Sequence, residues 1–123
     1  MTIGDNSLLE KLYLQAAEIG YTFPVFIYPT AYISPHTHIG SGCVILNNVV
    51  LQNNARCGDG CILNPGVELH HNSSIGNYCL IYINSVVRSL TQVGDLVWIG
   101  STATVTTGTT LPEDEVLPDG VSF

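Results

Sequence analysis

The chain has 123 residues, 46% of them hydrophobic and only 11% charged, and ten acidic against three basic side chains give a net charge of −7. Lys11, Arg56 and Arg88 alone cannot build the basic face that nucleic-acid phosphates or an anionic membrane surface require. No signal-peptide pattern opens the sequence and no apolar run approaches a membrane span, so a single domain in a reducing cytoplasm is expected.

Residues 1–26 carry a helix signal. Ser7 and Glu10 stand at capping-box spacing ahead of Leu8, Leu9, Leu12, Ala16 and Ile19, and Gly20 is placed to stop the turn. The pattern predicts a helix over about residues 8–19 that caps the open end of the repeat beginning at Ile27, with Tyr21 to Val25 as a lead-in.

From Ile27 to Ser122 the chain divides into sixteen six-residue units without a gap, each opening on Ile, Leu, Val or Cys. Four residues into the units, small or β-branched side chains dominate: Ala31, Thr37, Cys43, Val49, Ala55, Cys61, Val67, Ser73, Cys79. A slower beat overlies the first, since Gly40, Gly58, Gly76 and Gly94 are eighteen apart, as are Cys43, Cys61 and Cys79. Three short strands per coil, with coils stacked at ~4.8 Å, describe an all-β repeat, a parallel β-helix of about five coils over residues 27–123. Gly42, Asn47, Asn48, Asn53, Asn54, Gly60, Gly66 and Asn72 suit corners that need left-handed backbone. The four cysteines, all inward, read as small core fillers without metal-ligand spacing, and no metal is expected.

No insertion breaks the phase, so the rim of the coils must supply any site. One outward column, Val44, Ile62, Leu80, Trp98 and Val116, is apolar, whereas the other two read Tyr32, Val50, Glu68, Val86, Thr104 and His38, Arg56, Ser74, Gln92, Thr110. A lone apolar column on an acidic prism predicts a subunit interface. At the far end Pro112, Pro118, Glu113, Asp114 and Asp119 blunt the last edge, with Glu115 on an inward position.

The hexads, the opening Gly4, Asp5 and Asn6, the phrase from Phe23 to Pro35 and the phrase from Ile62 to Ile81 together resemble the hexapeptide-repeat sugar acetyltransferases. The similarity is to their sialic acid O-acetyltransferase and nucleotide-amino-sugar N-acetyltransferase group. The resemblance implies left-handed coils, a homotrimer, and acetyl transfer from acetyl-CoA to a sugar amine or hydroxyl in a groove between subunits. It also leaves that group's larger N-terminal domain, apart from its last helix, and its C-terminal tail outside the chain. In such enzymes a histidine takes the acceptor's proton. Asn64 and Gly66 match the phrase leading to it, and the histidine is His71, with His70 as a second candidate. A base must lie within hydrogen-bond reach of the attacking group. Asn72 stands where the group usually has an acidic residue that orients the ring. Leu80 takes the place of a second histidine, Asn84 that of a glycine near the thioester, and Arg88 and Ser89 that of small residues one coil above the base. The resemblance further implies pantetheine contacts at Asn84, Trp98, Gly100, Ser101 and Ala103, and acceptor contacts at Asn64 and Arg88, although Arg88 could also form a plain ion pair. His70 and Glu68 are placed to pair, and His36 and His38 read as surface residues.

Other readings differ in class. A non-catalytic β-helix scaffold fits the altered groove residues. A zinc hydratase on the same fold needs three converging imidazoles, whereas this chain offers only the pairs His36/His38 and His70/His71. A threonine ice-binding ladder fails, because Asn84 and Val86 stand one coil below Thr102 and Thr104.

Overall fold

The structure, a computed structural model, describes residues 6–20 and 23–123. Gly4, Asp5, Tyr21, Thr22 and the side chain of Ser7, on which parts of the N-terminal expectation rest, lie outside the described residues. Helix α1 (Asn6–Glu18) ends where expected: Gly20 takes φ +93° and its N–H donates to the Ala17 carbonyl at 3.1 Å. Its side chains Leu8, Leu12 and Leu14 are exposed, as are Ile19 just beyond it and Phe26 and Ile27 on the first coil.

Sixteen two-residue strands succeed it, from β1 (Phe26–Ile27) to β16 (Val116–Leu117), one every six residues. Every third strand joins the same parallel sheet, so there are three sheets, of six, five and five strands. Each residue pairs with the one eighteen further on: Val44 with Ile62, Glu68 with Val86, Arg56 with Ser74. The first sheet carries Val44, Ile62, Leu80 and Trp98 outward, the second Val50, Glu68 and Val86, and the third His38, Arg56, Ser74 and Gln92. The second residue of each strand points inward. From Ile45 onward these residues, together with the small residues four positions later, make one continuous core that includes Leu51, Leu63, Leu69, Ile81 and Ile99.

Three four-residue corners complete each coil. The first joins the first sheet to the second (residues 64–67), the second joins the second to the third (70–73), and the third closes the coil (76–79). Every sixth residue from His36 to Gly120 has positive φ, always the third in its corner. That conformation aims the residue's N–H at the carbonyl nineteen positions back, as in Asn72 to Asn53 (3.2 Å) and Leu96 to Asn77 (2.9 Å), which carries the inter-coil hydrogen bonding around the bend. Gly42, Asn48, Asn54, Gly60, Gly66 and Asn72 therefore do what the sequence suggested. Asn47 and Asn53 do not, because each corner has a single left-handed position and these precede it. Tyr78, Leu90, Leu96 and Thr102 are forced into the same conformation despite their bulk.

The eighteen-residue glycine beat has another cause. Gly40, Gly58 and Gly76 open the third corner, where an Asp or Asn of the next coil crosses directly over them. Asp59 Oδ1 accepts from the Ser41 N–H (3.0 Å), Asn77 Oδ1 from Asp59 (2.8 Å) and Asp95 Oδ1 from Asn77 (2.7 Å). A Cβ on the glycine would occupy the space this ladder uses. The glycine carbonyls take the cysteines: the thiols of Cys43, Cys61 and Cys79 donate to Gly58, Gly76 and Gly94 at 2.9, 3.1 and 3.2 Å. At the first corner the Ser85 hydroxyl does the same for Gly100.

Candidate functional site

The second corner of the middle coil carries both histidines. The second residue of a corner has an N–H that the strand pattern does not use; the third corner fills it with the Asp/Asn ladder. At the second corner no such ladder exists, and Gln52 of the coil below takes its place. Gln52 Oε1 accepts from the His71 backbone N–H at 3.1 Å and lies 3.3 Å from His71 Nδ1. The backbone contact fixes which end of the amide faces the histidine, because the amide nitrogen there would oppose another donor. Oε1 is then an acceptor for the ring too. That selects the tautomer with the proton on Nδ1 and makes Nε2 the acceptor nitrogen. On the coil above, Ser89 Oγ sits 3.1 Å from Nε2 and 3.4 Å from Nδ1, at the ring's outer edge.

His70 is engaged differently. Its Nε2 lies 3.0 Å from Glu68 Oε1, the pairing expected, and this is the sole ion-pair contact among the described residues. The side chain of Asn72 hydrogen-bonds neither ring among the described residues, because its left-handed turn commits the backbone N–H to Asn53 and leaves the amide exposed. The orienting group expected at Asn72 is thus found at Gln52, nineteen residues before His71. Only the stacking register reveals it.

The other expected site residues fall elsewhere. Asn64, Asn84, Gly100, Ser101 and Ala103 lie on the first corner and Trp98 on the first sheet, so the second sheet separates them from the histidines within one chain. Ala103 is fully buried and faces the core, and Gly100 is closed in beneath Asp119, so neither side offers contact surface to a ligand. Asn64 donates from Nδ2 to the Ile81 carbonyl at 2.9 Å. Asn84 is exposed at φ 58° and Ser101 is half-buried. Trp98 packs against Tyr82, centroids 5.2 Å apart, and its buried indole N–H has no acceptor among the described residues. Arg88 is exposed and, like Arg56, forms no ion pair among the described residues, so the plain pairing weighed for it is not made. A polar groove of about 480 Å³ runs beside Asn72 over the third sheet, lined by His36, Arg56, Ser74, Thr91 and Gln92. His36 and His38 thus border grooves that Arg56 also lines.

The cysteines are free and buried. Although their sequence spacing suggested no ligand set, coil stacking places the sulfurs of Cys43, Cys57 and Cys61 within 4.8 Å of one another. Hydrogen bonding to Cys57 and then Cys61 pulls the Cys43 thiol down. The same contact with Cys43 raises Cys57 and Cys61, and burial adds to the effect.

No protein-family model and no curated protein sequence matches the chain. Solved structures do. The acetyltransferase domain of PglB from Neisseria gonorrhoeae matches with a TM-score of 0.95 at 26% identity, over 98% of this chain and 59% of that one. The same domain in complex with acetyl coenzyme A matches with a TM-score of 0.86 at 26% identity, over 98% and 63%. WeeI from Acinetobacter baumannii shares the fold with a TM-score of 0.76 at 18% identity, over 98% and 64%. The neighbours are hexapeptide-repeat acetyltransferases, and the match is to a left-handed β-helix, as the resemblance implied. The chain spans about three-fifths of the PglB domain structures.

Proposed function

We propose that the chain is an acetyl-CoA-dependent acetyltransferase acting on an amine or hydroxyl of a sugar or nucleotide sugar, with His71 as general base. The observation that carries this reading is the double contact of Gln52 with His71, which prepares Nε2 to receive a proton. Acetyl-CoA as donor is supported by the PglB acetyltransferase domain, whose complex holds it. The acceptor class rests on the sequence resemblance.

In the reaction, Nε2 takes the proton of the acceptor's amine or hydroxyl as its heteroatom attacks the thioester carbonyl. The tetrahedral intermediate collapses with loss of the CoA sulfur, which leaves as thiolate and takes the proton back from the imidazolium. Nδ1–H stays on Gln52 throughout. Ser89 Oγ, beside Nε2, occupies the place an acceptor heteroatom would take, and a rotation of this side chain opens it. The groove at Arg56 and His36 offers an adjoining polar surface for the acceptor.

Within one chain the histidines lie on the second corner, whereas Trp98 lies on the first sheet and Asn84 and Ser101 on the first corner. The reading therefore needs a composite site in which one subunit supplies His71 and its neighbour the pantetheine surface around Asn84, Trp98 and Ser101. A homotrimer packed on the column Val44, Ile62, Leu80 and Trp98 satisfies this, and a neighbour can supply the acceptor that the Trp98 indole lacks. Four free thiols suit a reducing compartment such as the cytoplasm. No described helix is long and apolar enough to cross a membrane.

The test is release of the CoA thiol from acetyl-CoA with a panel of amino sugars and nucleotide-linked amino sugars. Loss of the base should reduce kcat by about 10²-fold or more, the usual contribution of a positioned general base. His71→Ala turning over like the parent would sink the proposal. A scaffold without catalysis is the second reading, favoured by Ser89 at the edge of His71. Calorimetric titration of acetyl-CoA into the oligomer separates the two: absence of saturable binding supports the scaffold.

A further inference from the structure

We propose that Cys43, Cys57 and Cys61 form a buried three-coordinate binding site for a soft monovalent d¹⁰ cation of the Cu(I) class.

The spacing fits. Three thiolate sulfurs in a plane around one ion at ~2.3 Å lie about 4 Å apart. Here Cys43 and Cys57 are 3.7 Å apart and all three sulfurs fall within 4.8 Å, so an ion among them reaches each with small adjustments of the side chains. All three residues are at most 1% exposed.

The carbonyl ladder explains two of the three cysteines and leaves one over. Cys43 and Cys61 sit at the third corner, where each thiol serves a glycine carbonyl, and Cys79 serves a third without joining the cluster. Cys57 has no such duty. It occupies an inward strand position on the third sheet whose equivalents are Ile39, Ile75, Val93 and Leu111. An aliphatic side chain would fill that place, yet a third sulfur stands there, with Cys43 as its hydrogen-bond partner.

The chemistry selects the ion. Thiolates without a nearby carboxylate or imidazole in the chamber prefer soft cations. Deep burial keeps water from completing the four-fold shell that Zn²⁺ prefers. On binding, the S–H protons of Cys43, Cys57 and Cys61 pass to solvent as three metal–sulfur bonds form, the Gly58 and Gly76 carbonyls lose their thiol donors, and nothing is oxidised or reduced. The bound ion would tie two successive coils together.

The test uses the full chain under anaerobic reducing conditions, with Cu(I) partitioned between protein and a bathocuproine chelator. The parent should retain one Cu(I) with sulfur-only coordination in X-ray absorption and unfold at a higher temperature than the metal-free protein. Cys57→Val, which restores the aliphatic of its column, should keep the fold and weaken retention at least about tenfold. Cys79→Ser, outside the cluster, should leave retention unchanged. Equal retention by the parent and Cys57→Val, an equal loss in Cys79→Ser, or no retention by the parent would each overturn the proposal. None of these readouts depends on acetyl transfer.

Discussion

A single oxygen of Gln52 holds both the backbone and the ring of His71, at 3.1 and 3.3 Å, from one coil below. The contact does two jobs: it satisfies a corner N–H that would otherwise face solvent, and it sets the tautomer of the proposed base. Gln52→Leu should therefore lower kcat by about tenfold, with the KM for acetyl-CoA little changed. Gln52→Glu, which keeps an acceptor at the same place, should retain most of the rate. Steady-state kinetics of the two variants decides: if both lose activity alike, Gln52 does not act through the ring.

The thiol ladder makes a stability prediction. Cys61→Ala leaves the Gly76 carbonyl without its donor inside the core and should cost about 1–3 kcal/mol. Cys61→Ser should cost much less, because Ser85 already plays this part toward Gly100. Urea unfolding of the metal-free variants would reveal the gap, and equal losses for Ala and Ser would mean that packing, not the hydrogen bond, selects cysteine.

Two glycines should respond differently to the same change. Gly76→Ala drives a Cβ into the Asp95 side chain and to 2.7 Å from the Gly94 carbonyl carbon, so the coils must part and folding should fail or weaken by several kcal/mol, beyond the ~1–3 of an ordinary overpacked site. Gly108→Ala meets no atom within 4 Å and is destabilised only by its left-handed φ of +77°, roughly 1–2 kcal/mol. Comparable melting temperatures for the two would contradict a steric origin of the eighteen-residue beat.

Leu90 stands at φ 61° and is 62% exposed, so it carries left-handed strain with little burial in return. Leu90→Asn should raise stability by about 0.5–1 kcal/mol, since Asn tolerates that conformation. A lower melting temperature would show that the leucine packs against something in the assembled protein.

For the proposed trimer, Ile62→Glu places a charge in the middle of the apolar column on the first sheet without touching the core. Light scattering should find the parent as a trimer and the variant as a folded monomer. A monomeric parent at micromolar concentration would remove both the interface and the composite site.

The period of six was enough to place every strand from Ile27 to Leu117, because an inward residue that slips by one becomes an outward residue and the core is lost. The period of eighteen likewise fixed which residues stack, including Glu68 against Val86 and His38 against Arg56. His70 with Glu68 could be read along one strand end. Stacking alone said less about what side chains do across coils. That a glycine column exists was plain in the sequence, whereas its cause, a crossing Asp or Asn rather than a left-handed turn, depends on where the next coil's side chain lands. The same holds for Gln52 beneath His71, for Ser89 above it, and for Cys57 turning toward Cys43. These relations join residues fourteen to nineteen positions apart. Their outcome rests on rotamers and unfilled backbone donors at the corners, which a repeat pattern does not encode. The sequence by itself thus determined the coil, its core and its apolar column, because burial depends on periodicity. Only the tertiary structure decided which corner group meets which, because hydrogen bonds require direction and distance as well as register.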